Sequence, residues 1–164
     1  MHMLINASSR ALRNKSDCLR RLGCWSQYPS TAEGGVAPFG SVKGMLSVRV
    51  DRPAENLVVI AVAGEIDSVT APKLSTSLHR ELERRPAALI LDLTAVSFLG
   101  VAGLHVLGCA LDRSKTLSVA LSVVHDEDSA VQSALRAAAM TGDFPTFRTV
   151  SQARTSSAPV TTTG

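Results

Sequence analysis

Aromatic side chains are scarce in this chain, 4% of 164 residues, and its one Trp and one Tyr (Trp25, Tyr28) both precede residue 45. From residue 45 onward there is no indole or phenol on which bases could stack, and no basic stripe, so nucleic acid is excluded as a partner. Cysteine is scarce too. Cys18, Cys24 and Cys109 are odd in number and widely spaced, which argues against a secreted disulfide framework and for a reducing, cytoplasmic setting. No apolar run reaches the roughly 18 residues of a spanning helix. Arg20 and Arg21 have no apolar segment behind them, so neither a membrane span nor a signal peptide is expected.

The patterns that announce an enzyme are missing as well. Gly100, Gly103 and Gly108 fit neither a dinucleotide fingerprint nor a phosphate loop, and no Gly-Lys-Ser/Thr occurs. Cys18 and Cys24 have no second ligand pair, and His2, His79, His105 and His125 are scattered, so no metal is assigned. No serine occupies a strand-to-helix elbow. Asp92, Glu65 and Asp67 stand at strand ends, where isolated acids usually act as caps or solvated loop residues. No catalytic residue and no cofactor is assigned.

What is present is a globular composition, 45% hydrophobic and 19% charged, with an uneven charge. Residues 1–44 hold six Lys/Arg against two acids, +4, and the remainder 11 against 12, −1. The first segment contains "PSTAEGGVAPFGSVKG", a linker composition, and is expected to be a flexible basic extension with Met45 as the native start. The competing reading is a regulatory arm. Residues 155–164, "TSSAPVTTTG", are expected to be a disordered tail. The folded domain is placed at 45–154.

Within it, "LSVRV" (46–50) alternates, "DRPAEN" makes a turn and "LVVIAVAG" (57–64) is an apolar strand, which predicts a hairpin. Ala71, Leu74, Leu78 and Leu82 follow at helical spacing, with Pro72 confined to the first turn. "AALILDL" (87–93) predicts a buried strand, then a loop, then a helix after Gly100. "LSVALSVV" (117–124) predicts another strand. "DSAVQSALRAAAM" predicts a helix with Ser129-x-x-Gln132 as a capping box and Gly142 as its stop, and "FRTVS" (147–151) a last strand. Alternating strands and helices in right-handed crossovers give an α/β fold: a mostly parallel, mixed sheet with an antiparallel first hairpin.

"VVIAVAGEIDSVTAPKL" and "LILDLTAVSFLGVAGLHVL" resemble the two signature segments of the STAS domain, the fold of bacterial anti-sigma factor antagonists. "SVALSVV…VQSALRAAAMTGDFPTFRTV" is similar to its later strands and helix, so the resemblance covers residues 46–152. It implies a cytoplasmic, non-enzymatic signalling protein that binds a kinase-like anti-sigma factor and so frees a sigma factor in transcription regulation. It also implies a switch: in the family a serine opening the helix is phosphorylated by the anti-sigma factor kinase, which makes the antagonist let go. Aligned on Phe98-Leu99 and Gly103-Leu104, the motif aspartate falls at Gly100, the phosphoacceptor serine at Val101 and its neighbour at Ala102. Valine has no hydroxyl to phosphorylate.

The partner-binding set is therefore expected to be Asp67, Gly100, Val101, Ala102, Gly103, His105 and Cys109. On a helical wheel His105, Cys109 and Asp112 fall opposite the apolar side chains, which predicts an exposed thiol and makes Cys109 a candidate redox site. Ser97, three residues before Gly100, is expected in strand-end packing. The alternative reading is a sensory STAS module that binds a small ligand or scaffolds a signalling assembly.

Overall fold

A computed structural model describes residues 45–157. The expectations for residues 1–44, including Cys18, Cys24, Trp25 and Tyr28, lie outside the described residues, as does the tail beyond Ser157. Among the described residues, a five-stranded sheet in the order β1-β2-β3-β4-β5 carries four helices. β1 (Ser47–Ala54) pairs antiparallel with β2 (Leu57–Ile66), as the hairpin pattern predicts. β3 (Ala88–Leu99), β4 (Ala120–Val124) and β5 (Thr146–Phe147) continue the sheet in parallel. The sheet is mixed and the fold is α/β.

The period of two along the strands separates two cores. Val58, Ile60 and Val62 of β2, Leu89, Leu91 and Leu93 of β3, and Leu121 and Val123 of β4 point to one face. There they meet Leu74, Leu78 and Leu82 of α1 (Ala71–Glu83), Val106 and Leu107 of α2 (Val101–Leu117), and Val131 and Leu135 of α3 (Ala130–Ala137). Each buried leucine contributes roughly 1.5–3 kcal/mol by leaving water. The alternate residues Val59, Ile90 and Val124 form a much smaller core with Ala153 of α4 (Val150–Ser157) on the opposite face. Among the described residues, three helices thus cover one face and a single short helix the other. The main face also buries a carboxylate: Glu81 of α1, 0% exposed, accepts from Arg52 of β1 at 2.7 Å, with Arg80 and Arg84 nearby. A buried charge is tolerable only when paired, so this contact ties the hairpin to α1.

Several boundaries differ from the sequence expectation, each for an identifiable reason. β1 runs on to Ala54, and the turn shrinks to Glu55 and Asn56, because Ala54 pairs with Leu57. β3 extends six residues past Leu93, through the segment expected to be a loop. It does so with two bulges: its register against β2 gains one residue between Asp92 and Ala95 and another between Val96 and Phe98. Core residues therefore recur every third position, Leu93, Val96, Leu99, and the alternation that marks a strand is lost. Leu117 ends α2 rather than opening β4.

Ser129 caps α3, its Oγ accepting from the Gln132 N–H at 3.1 Å, while the Ser129 N–H donates to Asp126 O. That is half of the expected capping box. The stop is not Gly142. The helix ends through Ala139, at φ 54°, with Met140 N–H donating to Leu135 O at 2.8 Å, a left-handed closure usually reserved for glycine. The last expected strand is also corrected. Only Thr146 and Phe147 pair with β4, and Thr149 then caps α4, its Oγ1 accepting from the Gln152 N–H at 3.2 Å. The helix carries order to Ser157, three residues into the segment expected to be a disordered tail.

Candidate docking surface

β2 and β3 end side by side, Ile66 opposite Leu99, and each feeds a helix from that end of the sheet. The approach along β2 requires Gly64. Its φ is +109°, and a Cβ there would stand 2.3 Å from the Met45 carbonyl oxygen.

After Ile66 the chain turns through 67–70 on a dense set of hydrogen bonds. Asp67 Oδ1 accepts from the Val69 and Thr70 N–H groups, both at 2.9 Å. The Thr70 hydroxyl accepts from the Asp67 N–H at 2.9 Å, and its proton lies between Glu65 O at 2.7 Å and Asp67 Oδ1 at 3.0 Å. The Thr70 N–H first, and then its hydroxyl, hold the Asp67 carboxyl below the ordinary aspartate range. Asp67 thus shapes the turn that presents its neighbour: Val69, at the tip, is 81% exposed.

After Leu99 the second turn is made by backbone alone. Gly100 is the N-cap of α2, extended in conformation, with no side chain capping the helix; its N–H donates to Ile66 O at 2.8 Å. Val101, the first residue of α2, is 83% exposed. The Phe98 ring, 50% exposed, lies beside Gly100, where a Cβ would be 3.1 Å from its Cε1. Gly103 is closed instead of open: a Cβ there would meet Leu99 Cδ1 at 2.4 Å and Ile66 Cγ2 at 2.7 Å. It lets the first turn of α2 rest directly on the strand ends.

The structure divides the residues expected at this surface. Asp67, Gly100, Ala102 and His105 are half-buried, Val101 is exposed, and Gly103 is buried. Cys109 does not face solvent as the wheel predicts. It is 7% exposed, so the expectation of an exposed thiol is corrected. The buried arc of α2 is wider than a single apolar stripe because the helix packs on both the sheet and α1; it runs from Cys109 through Val106 and Ala110 to Leu111. Ser97 is likewise corrected. It is the extra residue of the second bulge and is exposed, its hydroxyl donating to Gly64 O at 3.3 Å.

Phe98 and Val69 were missed as surface residues. The bulge at Ser97 turns Phe98 outward, and a bulge leaves no mark in a hydrophobic pattern; Val69 reads from sequence as an ordinary apolar residue. Among the described residues no group of His, Cys, Asp and Glu is placed to hold a metal ion, and no helix is long and apolar enough to cross a membrane.

Residues 49–153 match the family model of the STAS domain. The anti-sigma-F factor antagonist RsfB of Mycobacterium tuberculosis is 37% identical over 57 residues, which is 35% of this chain and 47% of that protein, so the match spans about half of the relative's length. An anti-sigma factor antagonist from Mycobacterium paratuberculosis superposes with a TM-score of 0.62 at 29% identity, over 68% of this chain and 93% of that one. The anti-sigma factor antagonist SpoIIAA of Bacillus, in its unphosphorylated form, shares the fold at 12% identity, with a TM-score of 0.58 over 69% of this chain and 99% of its own.

Proposed function

The chain belongs to the STAS domain family, and from that premise we propose that it is an anti-sigma factor antagonist. Relatives bearing that name in their descriptions support the reading. It acts by binding, with no chemistry of its own, and its partner is a kinase-like anti-sigma factor whose capture releases a sigma factor.

The single observation that carries the proposal is Val101, a bare aliphatic side chain at the exposed start of α2 and next to a half-exposed Phe98. Large apolar groups grouped at a surface favour a protein partner over water. Asp67 contributes by holding Val69 at the tip of the adjacent turn, and Gly100 and Ala102 contribute by being small enough to admit close approach. His105 borders this surface from the second turn of the helix.

The position that carries a hydroxyl in switched relatives carries none here. Phosphorylation adds roughly two negative charges and would oppose an apolar contact; at Val101 that step has no acceptor atom. Release from the partner is then set by abundance or by competition.

The test is affinity for an anti-sigma factor co-purified from the native host. Val101→Glu places a charge at the centre of the surface and is expected to weaken binding at least tenfold, about 1.4 kcal/mol, with an unchanged melting temperature. Unchanged affinity would move the interface elsewhere. Incubating the complex with ATP is expected to leave residue 101 unmodified, whereas Val101→Ser restores an acceptor hydroxyl.

A further inference from the structure

The opposite end of β2 and β3 carries a second feature that partner docking does not use. Leu57 and Ala88 are the first residues of these strands, and the C-terminal turn of α4 passes over them. The helix is held to the sheet through Ala153, with Val150 of its first turn and Phe147 of β5 packed alongside, and a cleft opens between its C-terminal turn and the strand starts. The residues beneath are too small to close the gap. Ala54, Ala87 and Ala88 form the floor with half-buried Leu57, and a cleft of about 840 Å³ remains. That is within the roughly 300–1,000 Å³ of small-molecule sites.

The polar groups of the cleft are few and of one kind. Asn56 and the hydroxyl side chains of α4 are neutral, and among the described residues no acidic side chain lines the cleft and Arg154 is its single charged residue. Arg154 is exposed and makes no ion pair among the described residues, unlike Arg113 with Glu83 or Arg148 with Glu127. A guanidinium presents a planar fork of donors that matches a carboxylate. An alanine floor beside a guanidinium with no ion pair among the described residues suits a molecule with an aliphatic body and one anionic end.

We propose that this cleft binds a single-chain aliphatic carboxylate, its chain lying on Leu57, Ala87 and Ala88 and its head group on Arg154. The site sits at the far end of the strands from Val101, so a ligand there leaves the docking surface open, and its presence or absence does not bear on the anti-sigma assignment.

The probe is dodecanoate, titrated calorimetrically below its micelle threshold into the full-length chain. Saturable binding is expected, weakened at least tenfold by Arg154→Glu and also weakened by Thr155→Trp, which fills the cleft from an exposed helix position. Dodecanol, with the same chain and no charge, is expected to bind the parent protein at least tenfold more weakly than dodecanoate. Absence of dodecanoate binding, equal affinity in the parent and Arg154→Glu, or dodecanol binding as tightly as dodecanoate would each overturn the proposal. All three proteins are compared by circular dichroism, because both substitutions are at exposed positions and are expected to leave the fold intact.

Discussion

Two turns carry β2 and β3 into helices at the same end of the sheet, and they are built in opposite ways. The first is polar: a carboxylate, a hydroxyl and three backbone N–H groups hold residues 67–70 in one conformation. The second has no polar side chain at all, and Gly100 enters α2 on a backbone bond to Ile66 with the helix start uncapped. The polar turn gains its rigidity from hydrogen bonds. The apolar one gains it from Gly103, whose missing side chain lets α2 sit against Ile66 and Leu99. Side by side, they fix the positions of exposed apolar residues, Val69 on one and Val101 on the other, without burying either. Rigidity beneath an apolar surface is what a docking site requires, because less freedom is lost when a partner binds.

The contrast can be broken most severely at Gly103. Gly103→Val puts atoms where two buried side chains already stand, and overpacking of this kind is expected to cost about 3 kcal/mol in denaturant unfolding. Gly100→Ala, three residues away in the same turn, presses on the half-exposed Phe98 ring at 3.1 Å and reaches Ile66 O only at an ordinary contact distance of 3.4 Å, and should cost less than about 0.5 kcal/mol. Comparable losses at the two glycines would show that α2 does not rest on the strand ends.

The polar turn is sharpened by pH. Because hydrogen bonding lowers the folded pKa of Asp67, its contribution is fully present above the ordinary aspartate value of 3.8 and is lost as pH falls through the lower folded value. Asp67→Asn keeps an acceptor oxygen but loses the charge. Its melting temperature should fall below the parent's near neutral pH, and the two should converge in acid. A difference that persists in acid would mean that the charge plays no part in the turn.

The smallest effect is expected from making the second turn resemble the first. Gly100→Asp supplies the side-chain oxygen that the start of α2 lacks, and replacing glycine at an N-cap changes stability by only a few tenths of a kcal/mol. The gain should appear as a slight rise in melting temperature, accompanied by weaker partner binding from the added charge. A fall in stability would show that Phe98 does not yield.

Much of this protein is written in the order of its residues. The leucine spacing of α1, the alternation of β1 and the apolar runs of β2 and β4 are local patterns, and each element formed on its pattern, although β1 runs on to Ala54 and β4 begins only at Ala120. The signature segments around Gly64 and Gly103 are legible through their resemblance to the STAS domain, whereas the positive φ and the closed contact that demand glycine there belong to the folded chain. The cap of α4 was also present, as Thr149-x-x-Gln152, the same spacing that at Ser129 supplies half of the expected capping box. Other features depend on partners distant in the chain. The length of β3 and the exposure of Ser97 and Phe98 follow from two bulges, which exist only in register against β2. The burial of Cys109 follows from α2 packing against the sheet and α1 at once, where a wheel drawn for one helix assumes one neighbour. The ordered α4, with the cleft beneath it, follows from a second sheet face that needs covering. Periodicity along a chain records which face of an element is apolar; how many neighbours that element meets, and in what register, is decided only when the sheet assembles.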